Sequence, residues 1–485
     1  MTNHRYEATI HSLSLTFLQQ FQVWARSQAS SKLWMNEVFN MRITHEATRL
    51  ATFLFLAAAA FISSTSQARK LQLAEIVRIG IDRSPIIKKD DASLASMRAQ
   101  TNEYKAGVFP TIYADASETM NHYAGFTSTT TSSPLSAMFG NQFYKSYIGA
   151  SQPLYVGGLI SSGIALRRQM EQAQMLQNQS DKQNLVLNLV TAYYNYAEQY
   201  HLAHAATKNV EILRNYDNVI RYYRKIGRAR VIDEMQADVN LLSARADQNN
   251  AESQLKQQLE QLRQLLALPE PPEIAVPTKL VSEKVEVLNT IDAVAKAMVD
   301  NPDILLLKKQ RNEIANQKAV DLSQDMPSLY LTGEYGYQSA NASMWIDPNN
   351  NFSQVMLELK VPLFSGLSSI YKRRSYAEQT ESATRALEAS QLQIGAQLQS
   401  ELTELKASYK RLLLAREADL IARQALIRGM SDYRRGIATT QDVLDVQTTR
   451  YNAEKLFIST HFDYLITLAT ARKLMGVDLE RVYGQ

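Results

Sequence analysis

The sequence predicts an α+β membrane protein in which one unit, a helix followed by a β-hairpin and a very long helix, is written twice. Three observations predict this. Short motifs recur at a nearly constant spacing. Segments of about ten residues alternate apolar and polar side chains, as strands of a membrane barrel do. Two stretches of about 70 residues lack proline and are too polar to lie in lipid.

The N-terminus sets the compartment. Residues 41–68 read as a secretory signal peptide: Arg42 and Arg49, an apolar run from Leu50 to Ile62, then Ser66-Gln67-Ala68 as a small-x-small cleavage site. A retained anchor is the alternative. Residues 1–40 precede a complete signal and are set aside from the fold as a candidate mis-assigned extension. Cysteine is absent, which excludes disulfides, thiol catalysis and cysteine metal sites. Net charge is +4 with the basic residues dispersed, which gives no case for nucleic acid. Mean hydropathy is −0.27 although 45% of residues are hydrophobic, the signature of long amphipathic helices.

The repeats span 69–268 and 288–477. "RSPIIKK" (83–89) returns as "DNPDILL" (300–306), and "VFPTIYADAS" returns as "DMPSLYLTGE"; both prolines move by 217 residues. From Pro153 to Pro362, and from Gly227 to Gly436, the spacing is 209. The change falls in a polar loop at 125–141, which is read, with 340–351, as facing outside the cell. A linker, 269–287, opens with "PEPPEIAVP" and is read as periplasmic; 478–485 form a tail.

Each element follows in order. A helix precedes a strand at 111–120, whose faces are Thr111, Tyr113, Asp115, Ser117, Thr119 and Ile112, Ala114, Ala116, Met120, the second interrupted by Glu118. The strand at 352–363 sets Val355, Leu357, Leu359 and Val361 against Gln354, Met356, Glu358 and Lys360. Tyrosines cluster beside the strands, where a membrane–water interface wants them; an ordinary half-buried sheet is the alternative. The strand-to-helix junctions are "QPLYVGG" with Pro153, Gly157 and Gly158, and "VPLFSGL" with Pro362 and Gly366. Proline is tolerated at a strand end and glycine permits the change of direction. In the long helices Leu398, Leu402, Leu405, Tyr409 and Leu412 step by four and three, matched by Leu189, Tyr193, Tyr196, Tyr200 and Ala203.

These junctions, with "YRRGIATTQDVLDVQTTRYNAE" (433–454), resemble the TolC-like outer-membrane efflux protein family over about 71–477. The resemblance implies four strands per protomer, a trimeric 12-stranded β-barrel and a long α-helical barrel continuing it into the periplasm. It implies a homotrimer in outer-membrane lipid, joined through a periplasmic adaptor (membrane fusion) protein to an inner-membrane ABC or RND transporter. The implied role is the exit duct of a tripartite efflux pump or type I secretion system, with no cofactor. A non-spanning periplasmic coiled-coil scaffold or adaptor is the competing reading.

Asp442 and Asp445 share a helix face at i, i+3, and the resemblance places such a carboxylate pair at the channel constriction. Solvated acids after a helix start are the plainer reading. Tyr433 and Asp233 match a tyrosine and an aspartate of the family's closed gate, implying a phenol–carboxylate bond. The family's arginine two residues beyond the second glycine is Ala438 here. His201 and His204 form H-x-x-H without a third ligand nearby, so no metal site is read there. No nucleotide-binding or hydrolase signature occurs, so an enzyme is not expected.

Overall fold

Proline and a polar cap start the second helix of each repeat. Pro85 and Pro302 sit in the first helical turn, where a missing N–H costs nothing. The preceding Ser84 and Asn301 accept hydrogen bonds from the Ile86 and Asp303 amides at 3.2 and 2.9 Å. The computed structural model describes residues 70–120, 142–277, 280, 290–340, 343 and 345–484, all in the unit from Lys70 to Gln485. The extension 1–40, the signal segment, the loop 125–141 and linker residues 281–287 lie outside them.

Repeat one contains α1 (Leu73–Arg83), α2 (Pro85–Ala106), β1 (Thr111–Met120), β2 (Gln142–Val156), α3 (Leu159–Lys225) and α4 (Val231–Leu265). Repeat two contains α5 (Thr290–Asp300), α6 (Pro302–Ser323), β3 (Ser328–Ser339), β4 (Asn351–Lys360), α7 (Ser368–Arg434) and α8 (Thr440–Leu474). A short α9 (Leu479–Tyr483) follows.

The four strands form one antiparallel sheet in sequence order, so β1 and β4 are its edges. The two hairpins share a register: Thr111 opposes Ser151, and the equivalent Ser328 opposes Lys360. β2 runs through Pro153, where its pairing with β3 shifts by one residue before Tyr155. That irregularity absorbs the missing donor. β4 stops at Lys360, short of the expected 363. β2 has a neighbour on each side, whereas among the described residues the outer edge of β4 is bare.

α3 and α7 hold 67 residues each, about 100 Å at ~1.5 Å per residue. α3 packs on α4, α7 on α8, and α3 on α8, so the lateral order is α4, α3, α8, α7. The expected apolar seams are buried: Leu398, Leu402, Leu405 and Leu412 in one core, Leu189, Tyr193 and Tyr196 in its repeat-one counterpart. Tyr200 is instead exposed, although Ala203, the next step of the seam, is buried again. Gly227 and Gly436 end the long helices at φ +74° and +75°. There the Arg228 and Ile437 amides reach back to the Tyr223 and Asp432 carbonyls at 2.7 and 2.9 Å, closing the last turn. The start of the linker is seated, with Ile274 bridging Leu71 and Tyr193 Oη donating to the Ala275 carbonyl at 3.0 Å.

Candidate functional site

The sheet carries two unlike faces. Residues opposite one another share a face, which groups Ile112, Ile148, Leu331, Tyr335, Val355 and Leu357, all apolar or aromatic and all exposed. An exposed apolar strip of this extent marks a surface made for lipid or protein. The other face is polar and aromatic. Lys145 Nζ lies 2.9 Å from Glu334 Oε2 and 4.1 Å from the Tyr147 ring centre, and Tyr147 meets Tyr113 edge-on at 6.0 Å. On the apolar face, Glu118, the interruption of the alternation, accepts a hydrogen bond from Tyr144 Oη at 2.9 Å. Trp345 stacks against Tyr144 at 5.4 Å, an aromatic cluster at the end of the sheet remote from the helices. No helix among the described residues is long and apolar enough to cross a membrane.

The junction glycines lie where the strands turn into helices. Gly157, Gly158 and Gly366 have positive φ, and Leu367 takes the left-handed conformation at φ +65° where repeat one has Gly158. Pro153 lies within β2, and Pro362 lies beyond the end of β4.

At the far end of the helices, Asp442 and Asp445 are exposed on one face of α8, while Val443 and Leu444 between them are buried. Asp442 completes a capping box: Oδ2 accepts from the Thr439 hydroxyl at 2.7 Å and from its amide at 2.8 Å. These two bonds, the hydroxyl's the stronger, hold the Asp442 carboxyl below the usual carboxylate range. Asp445 accepts from Gln441 Nε2 at 2.7 Å.

Tyr433 and Asp233 come near each other without the implied bond. Asp233 is held by Arg230, whose amide donates at 2.8 Å and whose Nη2 donates at 3.0 Å. The Arg230 side chain keeps Asp233 below its ordinary pKa. Tyr433 stacks on Tyr216 at 5.5 Å and Tyr223 at 5.8 Å, and burial raises its phenol. Tyr216 Oη donates to the Thr440 carbonyl at 3.2 Å, tying α3 to the start of α8. With Ala438 unable to bond, the nearby arginines serve other acids: Arg435 pairs with Asp432, and Arg224 with Glu234.

His201 Nε2 lies 3.0 Å from the Pro277 carbonyl. Among the described residues no group of three or more His, Cys, Asp or Glu side chains is placed to hold a metal. Sequence reading missed a run on α8: Leu444, Gln447, Tyr451, Glu454, Ile458, His461 and Leu465 follow heptad spacing with a polar residue at every second step. Gln447 bonds Asn209 of α3 at 2.6 Å, and Glu454 receives Arg450 and Arg423. His461 is 4% exposed, its Nδ1 has no partner, and burial, aided by the nearby His201, lowers its pKa to about 4. The spacing was visible; its polar steps hid it.

A sheet with one face suited to lipid, carried on long polar helices, points to a class of β-spanning membrane channel. The chain belongs to the outer membrane efflux protein family, whose pattern matches residues 80–268 and 293–477. It is 24% identical over 439 residues to the outer membrane protein TolC of Escherichia coli, covering 85% of this chain and 83% of that one. The open state of the MtrE outer membrane channel of Neisseria gonorrhoeae shares its fold at a TM-score of 0.71 and 18% identity, over 85% and 90% of the two chains. A membrane protein from Pseudomonas aeruginosa does so at 0.72 and 18%, over 84% and 91%. The protein is therefore an outer-membrane efflux channel of TolC-like fold, its helices in the periplasm, and its family is one of channels rather than enzymes.

Proposed function

We propose that three copies close a 12-stranded barrel and that the assembly is the passive exit duct of a tripartite pump or type I secretion system. An inner-membrane ABC or RND transporter opens it through a periplasmic adaptor. The observation that carries this reading is the incompleteness of one copy. Its four-stranded sheet has two bare edges, which lipid cannot satisfy, and both outer helices expose apolar stripes. On α4 these are Ile232, Met235, Val239 and Leu242; on α7, Leu420 and Ile427. A non-spanning scaffold leaves the exposed apolar face of the sheet unexplained.

Threefold assembly brings Asp442 and Asp445 together as six carboxylates around the axis. Protein walls around a narrow opening reduce screening, so the ring concentrates cations. Replacing both by Ala is expected to lower cation selectivity in planar bilayers while trimers persist. Unchanged selectivity would reduce the pair to a helix cap and a solvated acid.

A further inference from the structure

We propose the register by which β4 of one copy pairs with β1 of the next, a seam that rests on the trimeric reading above. The internal repeat supplies it. Moving β2 forward by 209 residues lands on β4, and moving β3 back by 217 lands on β1. The hairpins validate both shifts, because Thr111↔Ser151 becomes the observed pair Ser328↔Lys360. The β2–β3 pairs Ser151↔Thr332, Ala150↔Gly333 and Gly149↔Glu334 then become Lys360↔Asp115, Leu359↔Ala116 and Glu358↔Ser117, each between two copies.

Three properties of the chain support this register. It joins like faces: Leu359 meets Ala116 on the apolar side, and a one-residue slip would set it against Asp115 or Ser117 of the polar side. It also joins opposite charges, since Lys360 and Asp115, both exposed in one copy, come to lie side by side. A two-residue slip in one direction places Glu358 against Asp115, and in the other leaves Asp115 facing Pro362 beyond the strand.

The third property is a vacancy at the junction. Within the chain, Gly157 is pressed against the α6–β3 corner: an added Cβ would meet Met326 Cβ and the Ser323 carbonyl, each at 2.5 Å. Its counterpart Gly366 has nothing within 4 Å. The corner equivalent to Ser323 and Met326 is Ala106 and Phe109 at the end of α2, and Phe109 is 69% exposed. Phe364, beside Gly366, is 80% exposed. Gly366 therefore seats against Phe109 of the neighbouring copy, and the two bare aromatics cover one another.

The absence of native cysteine makes the test clean. Full-length protein carrying Ala116→Cys with Leu359→Cys, or Ser117→Cys with Glu358→Cys, is oxidised in the outer membrane and run denatured. Adjacent pairs sample both the hydrogen-bonded and the closer non-hydrogen-bonded sites of the ladder. At least one pair is expected to give covalent trimers, and the slipped pairs Ala114→Cys or Glu118→Cys with Leu359→Cys only monomers. Asp115→Lys should lower the heat-dissociation temperature of the trimer, and adding Lys360→Asp should restore it. Stronger linking by a slipped pair, or trimers that no pair links, overturns the register while the channel reading stands. A monomeric protein with no links overturns both. A dissociation temperature that does not fall in the single variant, or does not recover in the exchange, overturns the ion pair.

Discussion

Acid should loosen α8 from α3 at His461. The imidazole is buried between these helices, and burial favours its neutral form, taking its pKa from 6.5 to about 4. Below pH 6.5 the opened segment binds a proton that the packed one refuses, so the stability of the packing falls as pH drops from 6.5 to 4 and is flat outside that window. At roughly 1.4 kcal/mol per pH unit the full loss is about 3 kcal/mol, and about 2 kcal/mol is gone at pH 5. The other titratable groups nearby are His201, His204 and Glu198 on α3 and Asp463 on α8. Glu198 is bonded by Ser459 at 2.7 Å, and burial raises its carboxyl. Hydrogen exchange of amides 455–468, corrected for intrinsic pH dependence, measures the opening. Two kcal/mol corresponds to about a thirtyfold increase in opening between pH 8 and pH 5. His461→Phe keeps an aromatic ring without a titrating group, and its opening should rise much less on acidification, the remainder coming from His201, whose pKa burial also lowers. Wild type and variant losing protection in parallel would refute the argument.

Two further outcomes follow from the chain. Leu398→Ala removes a fully buried side chain from the core of α5, α7 and α8 and should cost about 2–5 kcal/mol; Leu392→Ala, exposed nearby on the same helix, should cost far less in one detergent-separated copy, as paired denaturation curves would show. The mature protein should begin at Arg69 or within a few residues of it, which the intact mass of the outer-membrane form reports, and retention of residues 1–40 would overturn the signal reading.

The repeat was legible in the sequence because its markers are prolines and glycines, residues whose backbone demands are local. Gly227 and Gly436 stand at the same helix boundaries in the structure as in the reading, whereas Pro85 and Pro302, read only as markers of the repeat, each start a second helix before the hairpin. The alternation of β1 and β4 was legible for the same reason, since side-chain period depends only on the strand itself. What stayed hidden depends on long-range contact. Tyr433 and Asp233 are 200 residues apart, and no local pattern reveals that Arg230, three residues before Asp233, satisfies it first. The α8 run through Gln447, Glu454 and His461 was obscured because a polar residue reads as solvent-facing until its partner, such as Asn209, is known. The end of β4 at Lys360 likewise reflects a missing neighbour rather than a local signal.

Topology tests the central claim most directly. In intact cells, a cysteine at Asn349, exposed in the β3–β4 connection, should react with a membrane-impermeant maleimide added outside. A cysteine at Glu270, exposed where the linker leaves α4, should react only after the outer membrane is permeabilised. Labelling of Glu270→Cys alone in intact cells would contradict a sheet that spans the outer membrane with its helices in the periplasm.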